Sequence, residues 1–434
     1  MVRRRSVNRE PVIVDVVSLH QDGYGLSEDG KFAVFGALIS ETVTAFPIAR
    51  KRGKLFFRAD SITSPSDLRV QPQCNAAAYC GGCALQHLSV EGQLDLKQGQ
   101  LKNEFDGLEP EQWLPPLVDQ SYNYRAKARL GVKYVDKKGR VLVGFREKMK
   151  PFIAEIDACP VLREPVAQLI EPLAKLIERL SSPKSIPQIE VAMGDSDCAL
   201  IFRHLEELSD QDRVQFCEFG EEYDVHIYLQ PGKLTSVHKI FPDDGLERLH
   251  YSINDNVKMS FHPMDFTQVN PRLNLKMIDL AQTLLEVDKE DRILDAFCGI
   301  GNFSLPLAEK VGTVLGLENS EASVERAREN AVLNHIDNAR FEVLDLFLEG
   351  NPLMDLDSVN KVLLDPPRTG ALELCKKLAS SKVERVVYVS CNPNTLARDA
   401  KILVENGYKL RRLGIIDMFP HTAHVESIAL LTRH

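Results

Sequence analysis

The stretch from Ile293 to Ser304, ILDAFCGIGNFS, constrains the fold of this chain more than any other. Its apolar start reads as a buried strand, Gly299 and Gly301 as a tight turn, and the residues after them as the opening of a helix. Strand, glycine turn and helix in that order begin a doubly wound α/β sheet. A dinucleotide site would carry a third glycine where this chain has Ser304, and no P-loop lysine follows. The turn therefore suits a nucleoside cofactor without a phosphate chain.

The strands that follow repeat one device, a chemically active residue at the carboxyl end. VLGLENS ends in Glu318, about twenty residues on, where an acid accepts both ribose hydroxyls. ARFEVLD ends in Asp345, placed to border an adenine, and KVLLDPPR ends in Asp365. RVVYVS is a run of β-branched and aromatic residues broken by Asn392-Pro393, which leaves Cys391 just past a central strand. A thiol there is a candidate nucleophile, although free cysteines also pack as small hydrophobes. LRRLGIIDMF and VESIALLTR read as a closing antiparallel hairpin that carries Glu426.

Ahead of this series the chain has a different texture. Residues 11–60 alternate apolar and polar positions with closely spaced turn residues, as in a small β-barrel. The tract Arg50-Lys51-Arg52-Gly53-Lys54 falls on one of its turns. Next come Cys74, Cys80 and Cys83, three cysteines within ten residues, around Gly81-Gly82. Cys159, followed by Pro160, is the nearest candidate for a fourth thiolate. Cys-Pro closes many iron–sulfur sites, and a four-cysteine zinc site satisfies the same spacing. Nine cysteines without a signal peptide place the chain in a reducing compartment, where thiols serve metals or catalysis.

A net charge of −9 argues against a nucleic-acid binder, but the average conceals a local reversal. Between Tyr122 and Lys150 there are ten Lys and Arg against two acids. Arg125, Lys127 and Arg129 fall two apart, on one face of a strand beside Tyr122 and Tyr124, as in a phosphate track with stacking partners. Residues 163–262 alternate helix-like and strand-like segments without a readable motif, and Cys198 and Cys217 read as core. No apolar run approaches the length of a membrane span, so a cytoplasmic protein is expected, with monomer as the default.

These motifs together resemble the RNA 5-methyluridine methyltransferases, a branch of the class I S-adenosylmethionine enzymes. The resemblance rests on DAFCGIG, Glu318, DPPR, SCNPNT and the HVE segment, and it covers nearly the whole chain. The run GYGLSEDGKFAVFGALISETV looks like a TRAM domain, an OB-like barrel of RNA-modifying enzymes. Barrel and cysteines together point to the bacterial members that modify one fixed uridine of 23S ribosomal RNA. The fold implied is multidomain: a TRAM-like barrel over 1–68, an α+β domain over 69–262 with the cysteines and a basic hairpin, and a Rossmann-like methyltransferase domain over 263–434.

The resemblance also assigns roles. It implies a four-iron cluster on Cys74, Cys80, Cys83 and Cys159, with zinc as the alternative. It implies contacts to S-adenosylmethionine from Gln268, Phe297, Asn302, Glu318, Asp345 and Asp365. Cys391 matches the nucleophile and Glu426 the base. The need for such a pair follows from the substrate: C5 of uracil is a poor nucleophile until a thiolate adds at C6. After transfer C5 carries both methyl and hydrogen, so a base must take the proton before the thiolate leaves. Attack on both faces of the ring requires an unstacked uridine. Rival expectations are the same chemistry on another ribosomal or transfer RNA uridine or on cytosine, a small-molecule methyltransferase, and a non-enzymatic RNA-binding assembly factor.

Overall fold

The computed structural model describes residues 10–245, 247–349 and 356–433.

Six short strands open the chain, in the spatial order Val12–Asp15, Thr42–Lys51, Lys54–Ser64, Phe32–Phe35, Tyr24–Leu26, Ser18–Leu19. The two outermost strands are separated in sequence by only Val16 and Val17, so the sheet curls back on itself as a barrel. Its interior is Val14, Val34, Val43 and Phe57. The basic tract forms the turn between the two longest strands. Arg52 and Gly53 both have positive φ there (48° and 82°), as a two-residue type I′ hairpin requires.

The second sheet runs His238–Phe241, His226–Gln230, Cys198–Arg203, Gln188–Met193, Lys127–Val135, Arg140–Gly144. Helices Ile170–Arg179 and Asp210–Tyr223 cover it and bury Leu173, Ile177 and Phe216.

The third sheet holds the strand–acid series. Its order is Ala339–Val343, Thr313–Glu318, Arg292–Ala296, Lys361–Leu364, Arg385–Ser390, Glu426–Thr432, Lys409–Ile416. The first five strands are parallel, and the last two form the expected antiparallel pair. Strand order reverses between Arg292–Ala296 and Lys361–Leu364, and a ligand crevice opens at such a switch point. An eighth strand, Gln112–Trp113, adds to the far edge beside Lys409–Ile416.

Helix Val90–Glu104, which precedes the central sheet in sequence, also packs on this third sheet. Ser89 caps it by accepting from Gly92 N at 3.1 Å. Gln93, Lys97 and Leu101, each four residues apart, face inward and are all buried. A polar residue and a charged one on a buried stripe require built partners.

Candidate active site

Five strand ends meet at one cavity of about 890 Å³. Its wall includes Cys391, Glu426 and Asp365 on one side and Phe297, Asn302, Glu318 and Gln268 on the other. The register that pairs Ser390 with Ser427 sets Cys391 opposite Glu426 across neighbouring strands.

The SCNPNT segment is built to hold this corner. Asn392 caps helix Pro393–Glu405 and also donates its side-chain amide to Arg368 O at 2.9 Å. The Asp365-Pro366-Pro367-Arg368 turn is thereby tied to the residue after the thiol. Arg368 itself lines the cavity, beside His424.

Burial sets the charge states. It pushes the Glu426 carboxyl well above the usual carboxylate range, and the Asp365 carboxylate raises it further. Asp365 is pushed up to about 7, again by burial and then by Asp295. The Cys391 thiol is pushed up to about 11 by burial, Glu426 and Asp365, with Arg368 acting against them. An anionic thiol beside two carboxyls needs added positive charge to form. Cys298, the other thiol on the wall, lies deep in the glycine turn, 5 % exposed.

At the other end of the cavity the backbone makes room for a ligand. Gly299 has φ +55°, and a Cβ built there would meet nothing within 4 Å. Phe297, also at positive φ (67°), faces Phe347 with ring centroids 5.5 Å apart. Glu318 accepts from Ser320 N at 2.9 Å and reaches the wall from its strand end. An aromatic pair, an acid and an open glycine turn fit an adenosine. Asn302 lines the wall but its amide is engaged: Oδ1 accepts from Tyr251 and from Asn274, each at 3.0 Å. Asp345 is absent from the wall, since its Oδ1 accepts from Phe347 N at 2.9 Å and Phe347 stands there instead.

Glu426 is placed by a loop, residues 417–425, that is gripped from outside the sheet. Lys97 Nζ lies 2.5 Å from Asp417 Oδ1 and donates to Phe419 O at 3.0 Å. Gln93 Oε1 accepts from His421 N at 2.8 Å. Ala84 N and Leu85 N both donate to His421 O at 2.9 Å, and Tyr124 OH donates to Pro420 O at 3.0 Å. Phe419, Thr422, His424 and Val425 of this loop complete the cavity wall.

The cysteine segment reaches the same cavity through Gly81 and Gly82. Cys80, Cys83 and Cys159 are buried and Cys74 is partly so. Burial pushes Cys83 up to about 12 and Cys159 up to about 11, and in both cases neighbouring thiols of the set push further. Four thiols within electrostatic reach of one another, three of them buried, are chemically suited to a thiophilic metal group. Among the described residues no three His, Cys, Asp or Glu side chains are grouped so as to hold a metal ion.

The basic face expected along residues 125–129 is not an open phosphate track. Lys127 is partly buried and donates to the Asp265 carbonyl, and Arg129 is paired with Glu190 at 2.9 Å. Tyr124 is 2 % exposed, and the Tyr122 ring packs tilted against His421 with centroids 4.3 Å apart. Only Arg125 of the three cations reaches the cavity. Spacing two gives a shared face, but not what covers it. Sequence reasoning also passed over Tyr251, Phe266, Asn319 and Arg368 as lining residues. Arg368 had a signal, since it follows Asp365 in the same turn.

A family model described as tRNA (Uracil-5-)-methyltransferase matches residues 89–434, which includes the whole cavity except Gly81 and Gly82. The chain belongs to this family. The 5-methyluridine methyltransferases that it resembles over its full length include the 23S rRNA (uracil(1939)-C(5))-methyltransferase RlmD of Hahella chejuensis, 45% identical, with 99% of each chain covered. The protein of the same name from Alcanivorax borkumensis is 44% identical over 99% of this chain and 98% of its own. Among solved structures, the Pyrococcus abyssi tRNA (uracil-54, C5)-methyltransferase in complex with S-adenosyl-L-homocysteine superposes with a TM-score of 0.76. That structure is 27% identical and covers 97% of this chain and 100% of its own. A family member named for transfer RNA thus matches nearly the entire chain, barrel included. The front of the chain therefore does not by itself separate ribosomal from transfer RNA members.

Proposed function

We propose that this methyltransferase moves a methyl group from S-adenosylmethionine to C5 of uracil 1939 in 23S ribosomal RNA. The observation that carries the reading is the cross-strand placement of Cys391 against Glu426, with Asp365 beside them, in a cavity that continues to the glycine turn. Relatives that share about 45% of their residues over the full length carry that activity in their names.

The chain's own residues account for each step. The cofactor supplies an electrophilic methyl on a positively charged sulfonium at the Phe297–Glu318 end. That charge, with Arg368, favours the Cys391 thiolate, whose two carboxyl neighbours otherwise hold it protonated. The thiolate adds to C6 of the flipped uracil, and the ring's electrons shift to C5 as an enolate. C5 takes the methyl as its bond to sulfur breaks, the electron pair staying on sulfur as a neutral thioether, and becomes a tetrahedral carbon that bears both CH3 and H. Glu426 removes that hydrogen as a proton, the C5–C6 double bond reforms, and Cys391 leaves C6 as thiolate. A buried carboxylate next to Asp365 binds a proton more strongly than one in water, which suits this step. Asp365 holds the uracil edge or the cofactor at the same wall.

The finer assignments extend this reading. Gln268, Phe297, Asn302 and Glu318 hold the cofactor, and Asp345 acts through Phe347. The thiols of Cys74, Cys80, Cys83 and Cys159 sense one another electrostatically, yet no three are grouped around one ion. We take the group they would hold to be a [4Fe-4S] cluster, with zinc as the alternative. Methyl transfer from a sulfonium moves no net electrons, so the group is structural. The curled N-terminal sheet is a TRAM-like barrel for RNA, within domains 1–68, 69–262 and 263–434. No helix among the described residues is long and apolar enough to cross a membrane, and a cytoplasmic monomer agrees with that.

The test is methylation of 23S fragments and of transfer RNA transcripts with labelled S-adenosylmethionine, followed by nucleoside analysis. Label in 5-methyluridine at position 1939 is expected. Label in 5-methylcytidine, or in the transfer RNA alone, would overturn the assignment.

A further inference from the structure

On the far side of the Lys127–Val135 and Arg140–Gly144 hairpin lies a second cavity of about 920 Å³. Six Lys and Arg line it against two carboxylates, Glu147 and Glu155. Lys138, Lys150 and Lys184 have carboxylate partners. Arg58, Lys133 and Arg146 make no salt bridge among the described residues, although Arg146 donates to Pro151 O at 3.1 Å and Lys133 lies near enough to Asp136 to lower its pKa. On this otherwise acidic chain the cavity is a local excess of positive charge.

Its floor is apolar and partly aromatic. Phe152 is 62% exposed at the rim, and Tyr134 lies beneath Lys184, whose Nζ is 5.2 Å from the ring centroid. Leu205 is 64% exposed on the same wall. Exposed large apolar residues flanked by cations mark a binding surface, and an aromatic face with a cation beside it takes a base and its phosphate. A peptide rich in acids would use the charge but leave the aromatic faces idle.

The cavity also connects to the active site. It shares Arg146, Glu147 and Pro187 with an intervening groove of about 550 Å³. That groove shares Gly81, Gly82 and Phe145 with the cavity of Cys391. One strand runs along the way, from Arg129, paired with Glu190, in the groove to Lys133 beyond it, about 13 Å further at the usual rise per residue. The barrel contributes Arg58 at the distal end, so all three sheets border one continuous path.

We propose that this distal cavity is a second nucleotide-binding site, which takes unpaired RNA flanking the target uridine. Phe152 stacks the base, with Tyr134 and Lys184 forming the wall beside it, and Arg58, Lys133 and Arg146 neutralise its phosphates. The site rests on the methyltransfer reading above and adds to it where the substrate strand is anchored. It predicts that substrate affinity depends on RNA length, with the chemistry unaffected.

The experiment uses the full-length enzyme and two 23S fragments, a minimal hairpin around the target and one extended on both flanks. Lys133→Glu/Phe152→Ala alters two surface residues outside the catalytic cavity. For the extended fragment KM should rise by about tenfold or more with kcat unchanged. The slope of log affinity against log salt should become shallower by about 0.7, one single-strand phosphate contact. The minimal hairpin should keep its wild-type KM. Equal losses on both fragments, or an extended-fragment KM within about twofold of wild type, would overturn the proposal. Wild-type enzyme inactive on both fragments would instead contradict the methyltransfer reading, and the distal site with it.

Discussion

Lys97 Nζ and Asp417 Oδ1 lie 2.5 Å apart, with side chains 0% and 5% exposed, and join helix Val90–Glu104 to the loop that delivers Glu426. A buried ion pair of this kind contributes less to net stability than its removal costs, because either partner left alone is an uncompensated buried charge. Lys97→Met or Asp417→Leu alone should lower stability by about 3–5 kcal/mol, whereas the double replacement should recover most of that loss. Denaturant unfolding of the three variants checks this. The double variant should also release its covalent RNA adduct more slowly, because the loop is gripped less firmly while Cys391 is untouched.

Replacing Asp365 should separate stability from activity. Its carboxyl is raised to about 7 in the folded protein, above its unfolded value. Between those two values the native state binds more protons than the unfolded chain, so the group's contribution falls as pH rises and is a penalty above pH 7. Asp365→Asn should therefore stabilise the protein at pH 8, by up to about 4 kcal/mol, and the gain should vanish below about pH 4. Methyl transfer should be lost. Unfolding midpoints of both proteins across that pH range, with an activity assay, provide the check.

The thiol can be followed directly. With Cys391 raised to about 11, iodoacetamide labelling of its peptide in the free enzyme should increase about tenfold per pH unit between pH 8 and 10. Adding sinefungin, an amine-bearing cofactor analogue, should move the labelling profile to lower pH, since positive charge at the cofactor end favours the thiolate. Mass spectrometry distinguishes this peptide from those of the other eight cysteines.

The four-cysteine site makes a compositional prediction. Protein purified without oxygen should carry iron and acid-labile sulfide in equal amounts, and Cys159→Ser should lose both together with thermal stability. Because Ala84 and Leu85, next to Cys83, hold His421, loss of the metal group should also loosen residues 417–425 to hydrogen exchange. One zinc per chain with no sulfide would contradict the cluster.

The sequence carried the methyltransferase half well, for physical reasons. Parallel strands buried on both faces read as apolar runs, and their carboxyl ends are where Glu318, Asp365 and Cys391 had to fall. The rest depended on which partner covers a residue. Lys127 looked like a phosphate ligand until the Asp265 carbonyl was found over it. Asp345 lies two residues past the end of its strand at Val343, and its carboxylate turns to the Phe347 amide. Helix Val90–Glu104 offers no strong apolar stripe, because its inward face includes Gln93 and Lys97, which answer to backbone groups more than three hundred residues away. Such long-range polar pairs leave no local pattern to read.

The central claim is that Cys391 bonds covalently to a uracil whose C5 proton Glu426 then removes. It is tested most directly with 23S fragments that carry 5-fluorouridine, in the presence of S-adenosylmethionine. Fluorine cannot leave as a proton does, so wild-type enzyme should stall as an RNA–protein adduct that survives denaturation, and Cys391→Ala should form none. On ordinary RNA, Glu426→Gln should stall at the same methylated adduct. An adduct that persists in Cys391→Ala, or wild-type enzyme that binds the fluorinated RNA without being trapped, would contradict the account.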